Sequence, residues 1–164
     1  MNIKGAQDFL RYVWPLLRRE NDQQWLIVAG SLCEGLPRGL PGVELLGPLD
    51  SLESFYQRCD VLINPTIAGT GLKIKTVEAI ANGKPIVCWP LGVEGISLPL
   101  RKFCHVAEDW YQFYLLIAGL LEGDQKSSSF APTREILKAH LSSDVIYAPL
   151  GEDVDLHHRT DSSQ

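Results

Sequence analysis

With 164 residues, 45% of them apolar and 21% charged, the sequence has the make-up of one globular domain. Its 15 basic residues are outweighed by 20 acidic ones, a net charge of −5, which argues against a nucleic-acid binder because such proteins carry a basic face. No apolar run reaches the ~20 residues of a membrane span, Met1–Gly5 lacks the apolar stretch of a signal peptide, and four cysteines without C-x-x-C spacing point to a reducing compartment rather than a disulfide framework.

Ala6, Phe9, Leu10, Val13 and Leu17 recur at helical spacing, so residues 6–19 read as an amphipathic helix that Pro15 kinks or splits. Trp25 to Gly30 is a short apolar run ending in glycine, the form of a buried parallel strand. The Gly- and Pro-rich stretch 31–42 is a loop, and Val43 to Gly47 is a second strand. Asp50 or Ser51 caps a helix over 52–58, with Leu52, Phe55 and Tyr56 facing inward. Val61 to Asn64 is a third strand, and a glycine-bearing loop leads into a helix over 72–82. Pro85 to Cys88 and Cys104 to Val106 are two more strands, Asp109 caps a helix over 110–121, and Thr133 opens a last helix to about Leu141.

Strands alternating with helices predict a doubly wound parallel sheet, a Rossmann-like α/β domain over residues 1–141. From Ser142 to Gln164 the periodicity is lost, and a polar, mobile tail is expected. The domain opens with a helix, whereas a helix on such a sheet normally follows a strand that feeds it. The first strand is therefore expected to be missing, either because the fold is a variant or because the chain is what remains of something longer.

Open parallel sheets bind ligands beyond the carboxyl ends of their strands. There stands Ile63-Asn64-Pro65-Thr66-Ile67-Ala68-Gly69-Thr70-Gly71-Leu72-Lys73-Ile74-Lys75-Thr76-Val77-Glu78. Gly69 and Gly71 permit close backbone approach, and the start of the following helix offers unpaired N–H groups to an anion. Gly71, Lys75 and Glu78 fall at i, i+4 and i+7 on one stripe, with Ile74, Val77 and Ala81 expected on the buried side. A phosphate at the first two and a ribose diol at the third would make this a nucleotide site.

The run Thr70-Gly71-Leu72-Lys73-Ile74-Lys75-Thr76-Val77-Glu78-Ala79-Ile80-Ala81-Asn82-Gly83-Lys84-Pro85-Ile86-Val87 resembles the donor-binding segment of GT-B glycosyltransferases, closest to the retaining family 4 (group 1) type. That family carries Glu-x7-Glu here, followed by Ala-x-Gly-x-Pro-Val-Val. Phe9 to Trp14-Pro15, Leu26 to Gly30, Val43 to Gly47 and Asp60 to Pro65 extend the resemblance over roughly residues 2–122. It implies that Glu78 binds the donor ribose, that Lys75 faces the diphosphate, and that Gly69, Thr70, Gly71 and Leu72 form the loop and helix start at the phosphates. Gly47, Pro48 and Leu49 would lie near the base. Thr70 stands where the family has its first Glu, the residue that contacts the transferred sugar, so no catalytic residue is assigned. The resemblance further implies a nucleoside diphosphate sugar as partner, an N-terminal acceptor domain absent from this chain, no metal and no cofactor, and a cytoplasmic setting with the membrane surface as alternative.

Simpler roles exist for many of these residues. Lys75 and Glu78 at i,i+3 also suit a surface pair, Thr70 suits a helix cap, and Gly92, Glu94 and Gly95 suit a turn as well as a cleft lining. His157-His158 lacks a third ligand, and His105 reads as a strand-edge residue. Three functions compete: the nucleotide-sugar-binding half of a glycosyltransferase, a GT-B nucleotide-sugar epimerase, and a non-catalytic nucleotide-binding or interaction remnant. A dinucleotide oxidoreductase is disfavoured, since no G-x-G-x-x-G follows a first strand.

Overall fold

Helices and parallel strands alternate as α1 (Ile3–Tyr12), α2 (Trp14–Glu20), β1 (Leu26–Ala29), β2 (Val43–Gly47), α3 (Glu53–Arg58), β3 (Leu62–Asn64), α4 (Ile74–Ala81), β4 (Ile86–Cys88), α5 (Leu98–Arg101), β5 (Cys104–Val106) and α6 (Trp110–Glu122). The computed structural model describes residues 3–69 and 73–123, together with Pro132, Glu135, Ile136 and Ala139. The chain falls into two units, Met1–Ala131 and Pro132–Gln164. In the second, Glu135, Ile136 and Ala139 are helical, where a last helix is expected. The expected tail from Ser142 lies outside the described residues.

All strand pairings are parallel, as the alternation predicts. Hydrogen bonding, however, divides the strands into a pair, β1–β2, and a triplet ordered β3–β4–β5. Among the described residues no strand joins β1 to β3. β4 is central in the triplet and fully buried at each of its three residues, while all four apolar residues of β1 are only half-buried. This difference follows from the division, because β1 has a neighbour on one edge only.

Pro15 acts as expected and splits the first helix. The break falls at Val13, and Pro15 sits in the first turn of α2, where a missing N–H is tolerated. The buried stripe of α1 and α2 (Phe9, Val13, Leu17) meets Phe113 and Ile117 of α6 in the main core. Phe9 and Phe113 pack edge to face at 5.9 Å. Asp109 caps α6 by accepting from the amide of Gln112 at 2.7 Å, and the Gln112 side chain accepts in turn from the amide of Glu108. A second, smaller core gathers Tyr56, Leu62, Ala79 and Ile86 under α4.

Some local expectations change. Leu52, not Asp50 or Ser51, is the residue before α3, and no side chain caps that helix. Leu52 and Trp25 are exposed. The loops also hold structure that Gly and Pro content conceals: one turn of 3-10 helix at Ser31–Gly35, another at Pro90–Val93, and the single-turn α5.

Candidate functional site

β3 carries the chain to the carboxyl edge of its sheet, where three buried groups anchor the start of α4. The Asn64 side-chain amide donates to Thr76 Oγ1 at 3.1 Å, and the Thr76 hydroxyl donates to the Gly92 carbonyl at 2.8 Å. The strand end, the first turn of α4 and the turn after β4 are thereby tied together. Gly92 has to be glycine here, since an added Cβ would meet Cys88 Cβ at 2.7 Å. It serves this clamp and does not line the large cavity beside α4; nor do Glu94 and Gly95, so the turn reading of that segment holds.

Between β3 and α4 the loop passes Gly69, whose φ of 131° only glycine adopts easily. Thr70, Gly71 and Leu72 lie outside the described residues. On the far side Lys73, itself buried, returns its ammonium to the Gly69 carbonyl at 2.9 Å. This bond closes the two ends of the glycine loop on each other. The amides of Thr76 and Val77 both bond to the Lys73 carbonyl, which starts the helical ladder.

The buried side of α4 is Thr76, Ala79 and Ile80, not the expected Ile74, Val77 and Ala81. Ile74 is 63% exposed. The helix enters on buried Lys73 rather than on an apolar residue, which rotates the inward face by one position. Lys75 and Glu78 nevertheless share a wall, since both border one large cavity of about 1400 Å³. Lys75 is exposed and Glu78 half-buried. Glu78 is held from across the cavity: the Tyr56 hydroxyl donates to Glu78 Oε2 at 2.8 Å. Burial, and then this bond to a carboxylate, push the Tyr56 phenol well above its ordinary value. It therefore stays protonated and donating. Oε1 of Glu78 is left available to accept from a ligand hydroxyl.

Pro48 and Leu49 line the same cavity as Lys75 and Glu78. Gly47 does not line it, but ends β2 with a φ of 71° and takes the Gly30 amide on its carbonyl, turning the chain toward Pro48. The structure thus brings together Pro48, Leu49, Lys75 and Glu78 and leaves Gly69 outside the cavity wall. No group of three or more His, Cys, Asp or Glu side chains suited to a metal occurs among the described residues. No helix among them is long and apolar enough to cross a membrane.

Residues 1–122 match the family described as glycosyl transferases group 1. The chain belongs to this family. An uncharacterized 44.6 kDa protein in the cps region of Klebsiella pneumoniae is 29% identical over 119 residues, which cover 66% of this chain and 31% of the relative. Among solved structures, HepE of Anabaena in complex with UDP and glucose superposes with a TM-score of 0.66 at 18% identity, over 92% of this chain and 45% of HepE. That likeness is one of fold, a Rossmann-like half of the GT-B architecture. The chain spans about a third to a half of the length of the relatives it matches.

Two residues of this group 1 domain gain roles that sequence reasoning did not give them. Tyr56 reads as an inward core residue, and its ring does lie in the smaller core, but its hydroxyl reaches Glu78. A tyrosine rather than a phenylalanine beside Phe55 was the available signal, since a buried phenol seeks a partner. Lys73 stands two residues before Lys75 and so points elsewhere; the odd spacing of two lysines around Ile74 already separates them.

Proposed function

We propose that this chain is the nucleotide-sugar-binding half of a group 1 glycosyltransferase of the family 4 type. The intact enzyme would move a hexose from a nucleoside diphosphate sugar to a glycan or lipid-linked glycan acceptor. The observation that carries the reading is the cluster of Lys75, Glu78 and Tyr56 on one cavity wall, one and two turns beyond the start of α4. Glu78 Oε1 would accept from the ribose diol while Tyr56 holds Oε2. The diphosphate would lie toward Lys75 and the first amides of α4, with the base against Pro48 and Leu49. As the bond from the sugar anomeric carbon to the diphosphate oxygen lengthens, negative charge gathers on that oxygen. A fixed cation and a helix N-terminus are suited to stabilise it.

UDP is the nucleotide to test first, because the structurally similar HepE binds it. Calorimetric or NMR titration with UDP and UDP-glucose should give weak binding that Glu78→Ala and Lys75→Ala each reduce. Unchanged binding in both variants would place the site elsewhere. The chain by itself is expected to show no sugar turnover with a panel of donors and acceptors. Holding two reactants in one geometry can supply ~7–11 kcal/mol of a barrier, and that needs an acceptor wall as well as a donor wall. Free Cys33, Cys59, Cys88 and Cys104 suit a reducing cytoplasm, which we propose as the setting of polysaccharide assembly by the intact enzyme.

A further inference from the structure

The cavity has a second wall that the nucleotide reading does not use. It is lined by Leu10 and Leu17 of the first two helices, Val28 of β1, Ile63 of β3, and Ile117 and Leu121 of α6. β1 and β3 border it from opposite strand systems, and each is hydrogen-bonded on its other edge only. Leu26 and Gly30 send their amides to β2, at the Gly42 and Gly47 carbonyls. Alternation along a strand then turns the amides and carbonyls of Ile27 and Ala29 to the opposite edge. In the same way Leu62 donates to Pro85 on β4, which turns Ile63 away from β4. The free edges of two parallel strands thus border an apolar space inside the domain. Buried backbone groups in native proteins are nearly always paired, so such edges call for a partner.

The position of α1 says what partner fits. The Ile3 side chain lies against Gly35, where an added Cβ would meet Ile3 Cδ1 at 2.7 Å, and the Gln7 side chain donates to the Gly35 carbonyl. Gly35 follows the carboxyl end of β1 within one 3-10 turn. The helical pair therefore starts near the carboxyl end of β1 and returns the chain to its amino end at Leu26. That is the path of a right-handed crossover whose first strand lies beside β1 and runs parallel to it. We propose that the gap between β1 and β3 is a slot for one extended segment of roughly four to six mostly apolar residues, joined to the chain ahead of Ile3. It would pair in parallel with both strands and fuse pair and triplet into one sheet ordered β2–β1–slot–β3–β4–β5. A strand covered on both faces reads as a continuous apolar run, and the slot walls select for that. This inference stands apart from the nucleotide reading, and its test does not use nucleotide binding.

The test compares the chain as it stands with three versions extended ahead of Met1. One carries a five-residue Val/Ile run and a short turn, one the same length of Gly and Ser, and one an apolar run with Pro at alternate positions, which cannot complete a ladder. Amide exchange by NMR, thermal unfolding and sedimentation are measured on each. The Val/Ile extension should raise Tm by roughly 10 °C, since each kcal/mol moves a domain of this size by several degrees. It should also slow exchange of the Ile27, Ala29 and Ile63 amides by about ten-fold or more, while the protein stays monomeric. The other two extensions should change neither. Equal effects of all three extensions would overturn the proposal. So would exchange at Ile27 and Ile63 in the unextended chain as slow as at Val87, or protection that appears only with concentration-dependent dimerisation.

Discussion

Replacing Tyr56 by Phe removes one hydroxyl and leaves the ring in its core. In the wild type that hydroxyl donates to Glu78 Oε2 at 2.8 Å. Hydrogen bonds to charged groups contribute ~1.5–3 kcal/mol, and the half-buried carboxylate, open to water on one side, belongs at the low end. Tyr56→Phe should therefore cost about 1.5 kcal/mol, a fall in Tm of roughly 5 °C for a unit of this size. A double-mutant cycle with Glu78→Gln should show a coupling of about 1 kcal/mol by urea unfolding. The pH dependence gives an independent sign. The folded phenol has its pKa raised by burial and by Glu78, while the unfolded phenol ionises near the ordinary 10.0. The contribution is thus complete below pH 10 and lost as pH rises above it, because only the unfolded state then releases the proton. Tyr56→Phe should remove this alkaline loss. UDP affinity should fall by about three- to ten-fold, since the carboxylate loses its orientation but keeps its charge. Additive effects in the cycle, with an unchanged alkaline limb, would refute a structural bond between these residues.

The remaining expectations concern the frame around the site. Phe9→Ala, at the edge-to-face pair with Phe113, should cost about 3–5 kcal/mol by denaturant unfolding, enough to unfold a marginal domain. Asp109→Ala should cost about 1 kcal/mol, with Asp109→Asn nearly neutral because the cap on Gln112 survives. Burial lowers the His105 pKa below its ordinary 6.5. Stability should therefore be lost as pH falls below 6.5, where the unfolded imidazole takes up its proton first, and His105→Asn should flatten that limb of a Tm–pH profile. Burial raises the Cys59 thiol, and Lys84 and Arg58 only partly offset this, so alkylation near pH ~8 should be slower than for a free thiol in peptide.

The fold was legible where the pattern answers to one force. β2 and β5 run over the expected residues, because a short apolar run between turn residues admits little else. Capping at Asp109 was legible because a side-chain acceptor ahead of an apolar helix has a specific geometric use. The rotation of α4 was not. Its inward face is set by Thr76, which is fully buried because Asn64 and the Gly92 carbonyl satisfy its hydroxyl. A polar residue buried by partners far apart in sequence is invisible to a hydrophobic count. The single turns at Pro90–Val93 and Leu98–Arg101 were hidden for a different reason. Helices this short are fixed by their surroundings and not by propensity.

The site divides along the same line. Lys75 and Glu78 could be placed on one wall from helical spacing alone, because they sit one turn apart. What decides the chemistry available to Glu78 is Tyr56, on a different helix. No spacing rule connects residues 22 positions apart. A carboxylate with both oxygens in water would be a general surface acid. One with Oε2 fixed by a buried phenol has a defined plane and one oxygen to offer, which is what recognition of a vicinal diol requires. The expected absence of a feeding strand has a matching physical trace. An apolar β1 that stays half-buried along its whole length, beside a β4 that is wholly buried, is the mark of an edge placed where a sheet centre should be. The polar wall and the open edge border the same cavity, so a strand entering beside β1 would also set the floor against which Lys75 and Glu78 meet a ligand.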